Sequence, residues 1–164
     1  MTINNLHDLY IDQLKDLYSA CDQSEPVTRK MAEAASDTEL RKALEAGAEG
    51  IAKGKDVLAK LCKDHGASPE GEHCKGMEGL VAEARKHGLE ADITDADTRD
   101  ASIITQYQRM THYAIAGYGC VLAFARRLGH DADVGPLEEC LENTRGGDIH
   151  MTKIAERGVN KAAT

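Results

Sequence analysis

Tryptophan is absent from this 164-residue chain and phenylalanine occurs once. Ala is the most frequent residue and Leu, Glu and Lys are well represented, which favours helices over sheet. No apolar run approaches the ~20 residues needed to cross a bilayer. The opening stretch "MTINNLHDLY" has no basic segment followed by an apolar one, so no secretory signal is read there and the expected location is cytoplasmic. Positive charge is also in deficit. A net charge of −8 argues against nucleic acid or an anionic membrane as partner. The five cysteines are odd in number and lack a disulfide-framework spacing, so they are read as reduced thiols. The length suits one domain, residues 1–164, with a core of its own.

Heptad-like spacing supplies what composition cannot. Tyr10, Leu14, Leu17 and Cys21 mark one face of a first helix, which begins near Asn4 or Asn5 and is kinked but not ended by Pro26. "SDTEL" starts a second helix with Ser36 or Asp37 as cap, and its seam is Ala43, Gly47, Gly50, Gly54, Val57 and Leu61. "HGASPEGEH" is loop, Cys74 to His87 forms a short helix ended by Gly88, and "GLEADITDADT" is loop again. A third long helix from about Asp95 to Leu128 carries Ile104, Tyr107, Thr111, Ala114, Tyr118, Val121, Ala125 and Leu128 without a break. "GHDADVGP" makes the next turn, with Gly129 after the helix and Pro136 starting a fourth that carries Leu137, Leu141, Thr144, Asp148, Met151 and Ala155. Short connections flank one long one, the pattern of an all-α, ferritin-like four-helix bundle with a long crossover carrying a short helix. An up-down bundle with a surface excursion is the alternative.

The middles of the four seams are small: Cys21, Gly50 with Gly54, Thr111 with Ala114, and Thr144 with Asp148. The three glycines of "GAEGIAKG" forgo about 3 kcal/mol of helix preference relative to alanine. Either backbones are drawn together over these residues, or they line a cavity.

The stretches "LHDLYIDQLKDLYSA", "ELRKALEAGAEGIAKG", "CKGMEGLVAEA", "RDASIITQYQRMTHYAIAGYG" and "LEECLENTRGGDIHMTKIA" run through nearly the whole chain. Together they resemble the ferritin-like YciE/YciF family of bacterial proteins, a domain of unknown function. The resemblance implies a stress-associated cytosolic protein, often dimeric, with a di-metal carboxylate site inside the bundle. Hard iron or manganese ions there need inward Glu with His or Gln. This chain departs from that pattern at nearly every position. Cys21 stands for the helix 1 Glu; Glu49 is kept, but Gly50 and Gly54 replace the next two ligands; "Thr111-His112-Tyr113-Ala114" lacks both carboxylates of the third helix; and Thr144 leaves only Asp148 in the fourth. Core carboxylates are costly without a metal to neutralise them, so losing the set together is physically coherent.

The resulting expectation is a non-enzymatic protein without catalytic residue, metal or other cofactor. A small central cavity lined by Cys21, Gly50, Gly54, Thr111, Ala114 and Thr144, with Asp148 at one side, would be structural or bind a small ligand, and the chain would form a homodimer. The competing expectation is a thiol-based redox or metal-dependent protein using Cys21, with Cys120 or Cys140 as partner. Both partners fall one position off their seams, which disfavours a shared site. His112 and Tyr113 fall beside the seam and are read as flank packing. Cys62-x-x-His65 followed by His73-Cys74 offers zinc-type donors, but across a short loop and with Cys74 inside the crossover motif. Glu138, Glu139 and the runs "DADVG" and "DITDAD" read as solvated turns and caps. No Ser-His-Asp arrangement, phosphate loop or dinucleotide fingerprint is present.

Overall fold

The computed structural model describes residues 2–163, and among them it is all helix and connection. Helix α1 spans Leu6–Ala34, α2 Thr38–Asp64, α3 Lys75–Ala84, α4 Ala96–Leu128, α5 Asp131–Ile154 and α6 Asn160–Ala162. Each of the first four starts where a side chain accepts from the first turn: Asn5, Asp37, Cys74 and Asp95 bond the amides of Asp8, Leu40, Met77 and Thr98. Gly129 ends α4 in the left-handed conformation, φ 72°, which a side chain rarely adopts.

Helices α1, α2, α4 and α5 form a four-helix bundle, with α1 packed chiefly on α2 and α4 chiefly on α5. The crossover places α3 against α1 and α4. Its span follows from which termini meet. Asp100, in the first turns of α4, is fully buried and accepts from the Ser36 and Asp37 amides of the α1–α2 turn at 2.9 and 2.7 Å. At the other end, His7 of α1, the α2 C-cap His65 and the α5 N-cap His130 stand together. The chain therefore leaves α2 at one end and enters α4 at the opposite end, so the long connection is a true crossover and not a surface excursion.

The sequence-based boundaries shift in three places. Pro136 lies inside α5 rather than at its start, because "DADV" is already helical, with Asp131 and Asp133 at the positive end of the helix dipole. Gly88 does not end the short helix; a π-helical turn, Arg85–Leu89, continues through it and packs on Ile103 and Gln106 of α4 at ordinary contact distance. Pro26 leaves α1 continuous.

A tyrosine stapled across three elements fixes the crossover. The Tyr113 hydroxyl donates to Asp16 at 2.8 Å and receives the Cys74 thiol at 2.9 Å. Gly76 admits its ring, since a Cβ there would come within 2.9 Å. Tyr113 is thus a packed and hydrogen-bonded flank residue.

Candidate functional site at the bundle centre

Most of the small central residues gather around one cleft of about 1210 Å³ between α2 and α5, floored by α1 and α4. Cys21, Gly50, Gly54, Thr111, Ala114 and Thr144 all line it. Asp148 does not. Its carboxylate turns to the outer α4 flank, 3.0 Å from Gln108 Nε2 and 3.0 Å from His112 Nε2, so it cannot bound the cavity as the sequence suggested. The reason is angular: position 148 follows 144 by one turn, but Gly147 is the residue facing inward there.

The glycines of α2 divide by purpose. Gly54 is buried beneath Tyr118, whose hydroxyl would lie 2.6 Å from a Cβ, and Gly47 receives the Tyr107 hydroxyl where its own Cβ would sit. Two tyrosines of α4 thus reach across the bundle onto bare α2 backbone, and this is close packing. Gly50 has nothing within 4 Å of its Cβ position and lies on the open wall. Both explanations of the small patch therefore hold, at different residues.

The hydroxyl donors in the cleft are already engaged. Thr111 donates to the Tyr107 carbonyl at 2.9 Å and Thr144 to the Cys140 carbonyl at 2.7 Å, each within its own helix. Among the described residues, no buried side-chain polar atom lacks a partner. Among the described residues, the buried charged ones are Asp100 and Asp133, neither lining the cleft, while Glu39, Glu49 and Glu139 border it as exposed rim residues. A thiol, two glycines, a methyl and two self-bonded hydroxyls do not fit a pair of hard metal ions, which require carboxylate oxygens and imidazole from the surrounding helices.

Cys21 is buried, with its sulfur 3.7 Å from the Tyr118 hydroxyl. Burial pushes the thiol up to about 12, against a smaller opposing effect of the Tyr118 hydrogen bond. Tyr118 is itself held well above the usual phenol range by burial, and its hydroxyl interacts with Cys140 as well as Cys21. Cys140 therefore does share the site, contrary to its seam offset, because a long tyrosine spans the one-position difference. Burial raises its thiol too. Cys120 is exposed and lies elsewhere. The zinc-type run also separates: Cys62 is fully buried, Cys74 caps α3, and His73 pairs with Glu78 in solvent.

Two residues with structural weight escaped the sequence reading, Asp100 and Asp133. Asp133, expected in a solvated turn, is buried and accepts from the Tyr10 hydroxyl at 2.8 Å. Its position, three residues into a helix whose start was misplaced, hid this.

Comparison with known proteins agrees with the motifs. A family described as Domain of unknown function (DUF892) matches residues 5–164. The chain is 30% identical to Protein YciF of Escherichia coli (strain K12), over 99% of this chain and 98% of that one. The crystal structure of that E. coli stress protein superposes with a TM-score of 0.90 at 31% identity, covering 97% and 99% of the two chains. YcfI of Rhodopseudomonas palustris gives a TM-score of 0.85 at 32% identity, covering 92% and 94%. The chain belongs to the DUF892 family, together with YciF.

Proposed function

We propose that this chain is a non-enzymatic, stress-associated member of its family whose bundle centre has exchanged a metal site for a cleft that holds a small, mostly apolar molecule. The observation that carries this is the lining itself: carboxylates are missing from the buried wall while Leu17, Ala20, Val57, Met110 and Ala114 supply an apolar one. Concave, largely apolar sites with few polar groups are the usual form of small-molecule pockets. The Tyr118 hydroxyl and the Cys21 thiol stand on that wall beside the hydroxyls of Ser24, Thr28, Thr111 and Thr144, while exposed Lys42, Lys53, Asn143 and His150 ring the opening. The stress association is supported by the description of the E. coli relative as a stress protein. The protein acts in the cytoplasm, and as a homodimer, the second of which sedimentation of the purified chain tests directly.

An environment-sensitive apolar dye, anilinonaphthalene sulfonate, tests the cleft. The native protein should bind it saturably, and Ala114→Phe, which projects a ring into the cleft, should weaken binding at least several-fold with helicity retained. Absence of dye binding, or binding indifferent to Ala114→Phe, would remove the cleft reading. Metal analysis of protein purified without chelator tests the other half: stoichiometric iron or manganese would overturn it.

A further inference from the structure

We propose that His7, His65 and His130 form a binding site for a divalent transition-metal ion, with Zn²⁺ as its occupant, at the end of the bundle remote from the α1–α2 turn. Three half-buried imidazoles from three separate elements converge there: the first turn of α1, the C-cap of α2 and the N-cap of α5. Their ring centroids lie 4.6 to 5.4 Å apart. One ring nitrogen from each lies within 4.8 Å of those of the others. His7 Nδ1 and His130 Nε2 are 3.2 Å apart. Two nitrogens on one tetrahedral zinc, at about 2.05 Å each, stand about 3.3 Å from one another. That pair is already at ligand spacing, and rotation of half-buried rings closes the rest.

The surroundings support ligation over simple ring packing. His65 Nε2 lies 2.7 Å from the buried Asp133 carboxylate, which also receives the Tyr10 hydroxyl. A carboxylate holding one imidazole nitrogen fixes the tautomer and leaves the other nitrogen with its lone pair, which is how metal-binding histidines are oriented. Helix chemistry is set aside to build the arrangement. His130 occupies the α5 N-cap and makes no side-chain cap bond. Asp133, three residues on, is where an acid would reach back to close a capping box, yet its side chain goes to Tyr10 and His65. Three imidazoles leave a fourth tetrahedral position for water on the open side. No iron or manganese centre is implied, because hard ions prefer carboxylate-rich donor sets.

The full chain, stripped with chelator and dialysed, would be titrated with ZnCl₂ by calorimetry and with CoCl₂ by visible absorption. The proposal expects one ion per chain, with cobalt giving the intense absorption of a tetrahedral complex. His7→Gln and His130→Gln should each weaken zinc at least tenfold, with far-ultraviolet circular dichroism unchanged. His73→Gln, on an exposed His–Glu pair, should leave binding unaltered. Zinc should also raise the melting midpoint of the wild-type chain and not that of the His7→Gln/His130→Gln double variant, because an ion bound only by the folded state stabilises it. Failure to bind, six-coordinate cobalt spectra, or binding that survives both His7→Gln and His130→Gln would overturn the proposal. The central cleft is lined by none of the three histidines, so the dye-binding result is independent of every one of these outcomes.

Discussion

Two glycines one turn apart on α2, Gly50 and Gly54, have opposite surroundings and so opposite expected behaviour. Gly50→Ala meets open space and gains helix preference, so chemical denaturation should show about 1 kcal/mol of added stability. Gly54→Ala drives a Cβ into the Tyr118 hydroxyl, which is buried and not free to move aside. The same measurement should show a net loss on the order of 1 kcal/mol, after the gain in helix preference is set against overpacking. Cys21 gives a second contrast. Its thiolate is suppressed by burial, and thiolate is the reactive form, so at about pH 8 alkylation should modify the exposed Cys120 and leave Cys21 intact. Rapid labelling of Cys21 in the native protein would favour the thiol-based alternative.

At the level of elements, two buried acceptors define how helices join. Asp100 anchors the α1–α2 turn to α4 through the Ser36 and Asp37 amides. Asp100→Ala strands those donors, and a loss of about 2–3 kcal/mol is expected from urea denaturation, as for hydrogen bonds to a charged acceptor. Tyr113 does the same for the crossover, through Asp16 and Cys74. Tyr113→Phe should cost about 1 kcal/mol globally, with amide exchange accelerated chiefly in α3. If exchange instead rose uniformly, α3 would belong to the same cooperative unit as the bundle.

The whole molecule carries a pH signature that follows from its buried thiols and phenols. Cys21 is held up to about 12 and Cys62 to about 11, chiefly by burial. The unfolded chain releases these protons first, from about pH 9 upward, so above that the unfolded state binds fewer protons than the native one. The contribution is fully present below about pH 9 and is lost as pH rises through the folded values. Urea midpoints should therefore fall between about pH 8 and about pH 10.5, and the fall should be shallower in Cys21→Ala.

Helix positions, the crossover and the family were legible in the sequence because they depend on short-range signals: 4-3 spacing, Asx caps such as Asn5, Asp37 and Asp95, and motif stretches read along one strand of text. The loss of carboxylates from the seam centres, Asp148 excepted, was legible for the same reason. The start of α5 was not, since Pro136 is a strong local signal and the acidic first turn that overrides it looks like a solvated run. Tertiary structure alone decided where the side chains went. It set Tyr107 and Tyr118 over bare α2 backbone, opened a cleft beside Gly50, and turned Asp148 away to His112. It also brought His7, His65 and His130 together across 123 residues of chain. Periodicity fixes which face of a helix is inward, but contact across a bundle depends on how far a side chain reaches and what its neighbour leaves open, and neither is written in the spacing of one helix.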